Sequence, residues 1–261
     1  MVFALALLSN LLLATAALAA PSRLGARLER RRAGRQSQPI RLLESNHLDN
    51  LASNASHVEY SSNWAGAVWD SYPSGTFTSV TGTFTVPTPS GSSGAASAWV
   101  GIDGDTCGTA ILQTGIDFTI SGGQVSYDAW YEWYPDYAYD FSGITIKAGD
   151  SIKLTVTASS TKAGTAVIQN LTTGKTVTKS LTSSAALCEE NAEWIVEDFE
   201  EGSSLVPFAD FGTVTFTNAV ATTKSGTTVG PSGSTLIDIE QNNKVLTSVS
   251  TTSSGVTISY V

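Results

Sequence analysis

The stretch Tyr127-Asp128-Ala129-Trp130-Tyr131-Glu132-Trp133-Tyr134 sets reactive side chains at a regular spacing. Taken as a β-strand, whose side chains alternate between two faces, it puts Asp128, Trp130, Glu132 and Tyr134 on one side. Tyr127, Ala129, Tyr131 and Trp133 fall on the other, which suits a core. Two acids interleaved with two aromatic rings have the make-up of a cleft wall, where carboxylates bind or react and rings shape subsites; a solvated acidic face is the plainer reading. Trp99-Val100-Gly101-Ile102-Asp103 places Trp99 and Asp103 on a common face, and Gln113 follows in Ile111-Leu112-Gln113-Thr114-Gly115. By itself such a glutamine reads as a buried amide satisfied by backbone groups. In Ala192-Glu193-Trp194-Ile195-Val196-Glu197, Glu193, Ile195 and Glu197 share a side. A carboxylate among Trp and Ile is costly to ionise without a partner, which marks Glu193 as a candidate for an altered pKa and a task.

What is missing narrows the chemistry further. His47 and His57 are the only histidines, so the chain from Glu59 onward has none. A Ser-His-Asp or Cys-His nucleophile and a His-ligated zinc are excluded there, leaving carboxylates, amides, hydroxyls and rings. The same region carries 20 carboxylates against seven lysines and no arginine, a balance of −13. Protonating the acids at low pH leaves few cations to repel one another, which suits an acidic extracellular medium.

Residues 1–20 form an apolar run ending in Ala17-Leu18-Ala19-Ala20, the pattern of a secretory signal peptide; a short membrane anchor is the alternative. From about Pro21 to His57 the composition changes, since all seven arginines lie between Arg23 and Arg41 and only Glu29, Glu44 and Asp49 oppose them. This segment, about +4 and short of aromatics, reads as a removable pro-segment ahead of a domain spanning 58–261. Its charge opposite the acidic remainder suggests an electrostatically held inhibitor, the alternative being a disordered spacer. Arginine–carboxylate pairs hold near neutrality and weaken as the carboxylates protonate, so acid would loosen it. In a secreted chain the two cysteines, Cys107 and Cys188, are expected to form one disulfide. Asn170-Leu171-Thr172 is a glycosylation sequon.

These residues need a scaffold of strands. Val80 to Val86, Ser151 to Thr157 and Gly212 to Thr217 alternate cleanly, and turn residues such as Ser121-Gly122-Gly123 and Lys147-Ala148-Gly149-Asp150 separate the runs. The expected fold is all-β, a sandwich of two antiparallel sheets of jelly-roll or lectin-like type. Between Leu187 and Glu201 a helix competes, and a strand is preferred for Ala192 to Phe199.

Ser62-Asn63-Trp64-Ala65-Gly66, Trp99 to Gly104, Leu112-Gln113-Thr114-Gly115, Tyr127 to Trp133 and Ala192 to Glu197 together resemble the glutamic peptidases, or eqolisins, in order from about Ser61 to Val261. The resemblance implies a β-sandwich endopeptidase active at acid pH, with a dyad on Gln113 and Glu193. It assigns neighbouring cleft roles to Trp99, Asp103, Asp128, Trp130, Glu132 and Tyr134. Ionised Glu193 would take a proton from attacking water while the Gln113 amide donates to the oxyanion. Polypeptides are the implied substrates of a monomer that needs no metal or cofactor and has neither nucleic acid nor, once mature, a membrane as partner. Two readings of other kinds stay open on the residues alone: a glycoside hydrolase using Asp128 and Glu132 as an acid/base pair, and a non-catalytic lectin-like module.

Overall fold

The computed structural model describes residues 34–44 and 58–261. The leader and the remainder of the basic segment, including the histidines and the arginines other than Arg35 and Arg41, lie outside the described residues. After β1 (Arg35–Gln36) come β2 (Val58–Ser61), β3 (Trp64–Trp69), β4 (Phe77–Thr85), β5 (Ser93–Ile102), β6 (Ile111–Ser121), β7 (Gln124–Tyr134) and β8 (Tyr139–Asp140). β9 (Ser151–Ser160), β10 (Ala163–Asn170), β11 (Lys175–Thr182), β12 (Ala192–Glu197), β13 (Glu200–Glu201) and β14 (Ser204–Leu205) follow. The chain ends with β15 (Thr213–Thr223), β16 (Thr228–Val229), β17 (Thr235–Gln241), β18 (Lys244–Val245), β19 (Thr247–Thr251) and β20 (Gly255–Tyr260).

The strands make two large sheets. One runs β18-β17-β3-β12-β5-β6-β7-β8 with β2 on β17; the other runs β11-β10-β9-β4-β15-β20-β19 with β16 on β15. Among the described residues, all pairings between these strands are antiparallel except β2 with β17. This is the expected sandwich, and the stretch over which a helix competed is the strand β12. Alternation explains the core: Ala96, Ala98, Val100 and Ile102 of β5, Leu112, Ile116 and Phe118 of β6, and Ala192, Trp194 and Val196 of β12 all pack between the sheets. Their alternate neighbours face outward. There Trp64, Val68, Trp99, Ile111, Trp130, Ile195 and Ile237 form a second buried cluster on the far side of the first sheet.

Turn chemistry fixes the register on which that outer face depends. Gly122 and Gly123, with φ of 55° and 77°, join β6 to β7 between the paired residues Ser121 and Gln124. Two central residues with positive φ make a turn whose twist matches the flanking strands, and glycine adopts them without strain. From this turn the ladder sets Asp117 opposite Asp128 and Gln113 opposite Glu132. Asn170, the sequon residue, is buried at the end of β10, where its amide nitrogen donates to Asp150 and Thr145 O and its oxygen accepts from Thr173 N. It ties a turn together and offers no free amide for a glycan.

Cys107 and Cys188 form the expected disulfide, closing a sequence separation of 81 residues. By loop entropy such a cross-link contributes roughly 4–5 kcal/mol. Replacing both cysteines by alanine is expected to lower the denaturation free energy by that order, and an unchanged denaturant midpoint would contradict it.

Candidate active site

On the outer face of the first sheet, β5 carries Ser97, Trp99 and Gly101; β6 carries Gln113, Gly115 and Asp117; β7 carries Asp128, Trp130, Glu132 and Tyr134; and β12 carries Glu193, Ile195 and Glu197. The dyad candidates sit on strands two apart, because Gly101 pairs with Gln113 on one side and with Glu193 on the other. Sheet spacing puts their backbones roughly 9–10 Å apart, so the two side chains reach toward a shared point above the glycine. A Cβ at Gly101 would lie 2.6 Å from Glu193 Oε1 and 2.7 Å from the Trp99 ring, so a side chain there would collide with both. Gln113 and Glu193 are fully buried, and none of their four polar side-chain atoms has a hydrogen-bond partner among the described residues.

The carboxylates around this pair are held, and each by different means. Arg35, from the basic segment, enters the cleft and is itself buried. Its Nε and Nη2 donate to the two oxygens of Asp117 at 3.0 and 2.7 Å, Nη1 donates to Glu132 and Ser37, and Nη2 also donates to Ser97. All five N–H donors of the guanidinium therefore have acceptors. Its plane lies over Trp130 at 4.1 Å and Phe199 at 4.5 Å. Glu197 accepts from Trp99 Nε1 at 2.9 Å and from Gln38 N at 3.0 Å.

Burial pushes the Glu193 carboxyl well above the usual range, with Asp103 and Asp105 adding repulsion. It does the same to Glu132, where the Arg35 charge opposes the shift in part, and lifts Glu197 to about 7 against the same opposition.

Trp99, Trp130, Glu132 and Tyr134 lie together on the cleft face as their spacing predicts, and Asp128 is buried opposite Asp117. Asp103 is placed differently. It follows the last residue of β5 with a φ of 70°, and its carboxylate accepts the backbone amides of Cys188, Glu189, Glu190 and Asn191 at 2.7–3.2 Å. The group anchors the loop that leads into β12 and so sets the position of Glu193. Cys107 and Cys188, bridged beside it, tie the same loop to the chain after β5. Reading the sequence did not single out Asp117, Ser97, Gly101 or Phe199. Asp117 could have been found, because it lies four residues beyond Gln113 on the same strand face.

Three comparisons bear on these residues. The model of the Peptidase A4 family matches residues 62–260. The chain is 55% identical to aspergillopepsin-2 of Aspergillus niger and 44% identical to scytalidopepsin B of Scytalidium lignicola, each over 98% of both chains. Among solved structures, scytalido-glutamic peptidase with a transition state analog inhibitor superposes with a TM-score of 0.71 at 48% identity, covering 77% of this chain and 98% of that one. Aspergilloglutamic peptidase from Aspergillus niger gives 0.62 at 65% identity, covering 64% and 99%.

The buried acids away from the segment make stability depend on pH. Burial raises Asp198 to about 8, against a hydrogen bond from Gln241, and Asp238 to about 6. Such groups bind their protons more tightly folded than unfolded. Their stabilisation is complete below about pH 4, where the unfolded groups titrate, and is lost as pH rises through about 6 for Asp238 and about 8 for Asp198. Denaturation followed from about pH 5 to pH 8 is expected to show falling stability, with a shallower fall in Asp198→Asn, whose amide imitates the neutral acid. Parallel curves for the two proteins would contradict the assignment.

Proposed function

The chain belongs to the Peptidase A4 family and is a glutamic-type endopeptidase, and from that premise we propose that Glu193 and Gln113 carry its chemistry in a secreted precursor whose segment 21–57 is its own inhibitor. The observation that carries the reading is the placement of the two side chains across Gly101, both buried and without hydrogen-bond partners among the described residues. Buried polar groups are ordinarily satisfied, so a carboxyl and an amide left unpaired side by side are set for a reacting partner. Ionised Glu193 takes a proton from water as the oxygen attacks the scissile carbonyl, and the Gln113 amide nitrogen donates to the oxyanion that forms. The proton on Glu193 then passes to the leaving nitrogen. No step needs a histidine, which would be protonated in acid.

The segment suppresses this chemistry in two ways. It fills the cleft, and the burial of Glu193 in this closed form favours the protonated carboxyl, which is no base. When the segment leaves, water reaches Glu193 and the burial that raised its pKa is relieved. The pocket of Asp117, Glu132, Trp130 and Phe199 then stands open to a cationic side chain of a substrate. A bidentate guanidinium–carboxylate pair requires an ionised acid, so acidification weakens the hold on Arg35. Arg41, paired with Glu200 at 2.6 Å but half exposed, contributes less. The leader and the disulfide both fit secretion.

Glu193→Gln is expected to abolish peptide hydrolysis while the fold is kept, and Gln113→Ala to reduce kcat by at least about 10²-fold, the scale for one oxyanion donor. Turnover near the wild-type rate in the Glu193 variant would remove it from the mechanism. In the full-length chain, Arg35→Gln is expected to move the onset of activity to higher pH, since the cleft loses its buried cation. An onset unchanged from wild type, followed with a fluorogenic peptide through a stepwise acidification, would show that Arg35 does not hold the cleft shut.

A further inference from the structure

The cleft grips the main chain of its occupant as well as its side chains. Along the segment, Arg35 O accepts from Ala138 N, Ser37 N donates to Glu132, Gln38 N donates to Glu197, Gln38 O accepts from Trp64 Nε1, and Ile40 N donates to Gly104 O. None of these bonds uses a side chain of the segment, so any extended polypeptide could make them.

At one end the contact becomes sheet pairing. β1 lies antiparallel to β13, Arg35 opposite Glu201 and Gln36 opposite Glu200, which makes it the outer strand of a three-stranded sheet with the β13–β14 hairpin. Main-chain groups of successive strand residues point to opposite sides. Val206 N donates to Phe199 O, so Phe199 faces the returning arm of the hairpin and the N–H and C=O of Glu200 face the segment. On the segment's other flank stands Ala138, whose amide reaches Arg35 O at 3.1 Å. The cleft floor between these walls carries the carboxylates of Asp117, Glu132 and Glu197.

We propose that the main-chain edge of Glu200 on the β13–β14 hairpin is a docking strand for substrate, to which an extended polypeptide adds antiparallel in the place of residues 35–36, with the Ala138 amide closing the other side. The proposal rests on the peptidase reading and extends it. An edge strand left bare invites pairing with another chain, and here the protein's own segment covers that edge until the cleft opens. Binding through the backbone gives affinity for many sequences, while pockets such as that of Arg35 select among side chains. Because the docking strand lies off the dyad, it acts on substrate binding more than on the chemical step.

The test is an N-methyl scan of a fluorogenic peptide cleaved at acid pH by the enzyme expressed from the full-length chain. One residue, outside the two that flank the scissile bond, is expected to raise KM about tenfold on N-methylation with kcat nearly unchanged, the scale of one lost hydrogen bond. The residue before it should tolerate the methyl, since its amide points away from the edge, whereas the residue after it, in the place of Ser37, loses its bond to Glu132 and should be sensitive as well. Glu200→Pro removes the amide that faces the cleft and leaves the pairing of Phe199 with Val206 in place. In that variant KM for the parent peptide should rise, because the peptide carbonyl loses its donor, while the N-methyl penalty, which reads the bond to the retained Glu200 carbonyl, should persist. A wild-type profile without a sensitive residue away from the scissile bond overturns the docking strand even if Glu200→Pro fails to fold, and so does an unchanged KM for the parent peptide in a folded Glu200→Pro. Failure of the wild type to cleave the parent peptide at any pH instead contradicts the peptidase reading, and the docking strand falls with it.

Discussion

A carboxylate held out of water must have a partner or a proton, and the outer face of the first sheet is built around that constraint. Asp117 and Glu132 share the guanidinium of Arg35, Glu197 is met by the Trp99 indole and a backbone amide, and Asp103 gathers four amides. Among the described residues Glu193 has no such partner, and neither does Gln113. The unequal distribution separates acids that hold structure or an occupant from the one acid to which the proposed chemistry is assigned. Breaking a buried pair by removing one member leaves an uncompensated charge, so departure of Arg35 requires its acids to be hydrated or protonated. In the proposed activation, an opening cleft and an acidic medium supply both.

The scaffold meets a second demand, that two groups on non-adjacent strands converge. β5 lies between the strands of Gln113 and Glu193, and any side chain at position 101 would stand between them. Gly115 does the same for the rings, since a Cβ there would lie 2.6 Å from Trp99 Cβ and 2.8 Å from the Trp130 ring. Asp103 and the disulfide then hold the loop before β12, which brings Glu193 to this level of the sheet. Geometry at the dyad thus depends on a turn at Gly122-Gly123, two glycines under the rings and an anchored loop, all at a distance in sequence from at least one member of the pair.

Much of this was legible in the sequence, for identifiable reasons. Alternation placed the faces of β7 and β12 correctly, because a strand buried on one face by a core and on the other by a cleft still alternates two kinds of residue. The absence of histidine after His57 narrowed the chemistry to carboxylates, amides, hydroxyls and rings. Asp103 shows where alternation fails: the chain leaves the strand at Ile102 with a positive φ one residue later, so the face predicted for residue 103 does not exist. Asp117 and Gly101 were missed because their importance lies in what stands beside them across the sheet, and the adjacency of β12 to β5 is not written in either segment. The sequon at Asn170 carries no information on burial. The glycoside hydrolase and lectin-like readings, open on residue types alone, give way to the endopeptidase assignment once the whole domain aligns with its relatives.

The central claim is that Glu193 activates water and does not itself attack the peptide. Acid-quenched mass spectrometry of the enzyme during a single turnover, with enzyme in excess over a good peptide, tests it directly. The account predicts that the mass of the chain stays unchanged at every time point while products accumulate. An acyl adduct that forms and decays at the rate of turnover, mapped to Glu193, would contradict it.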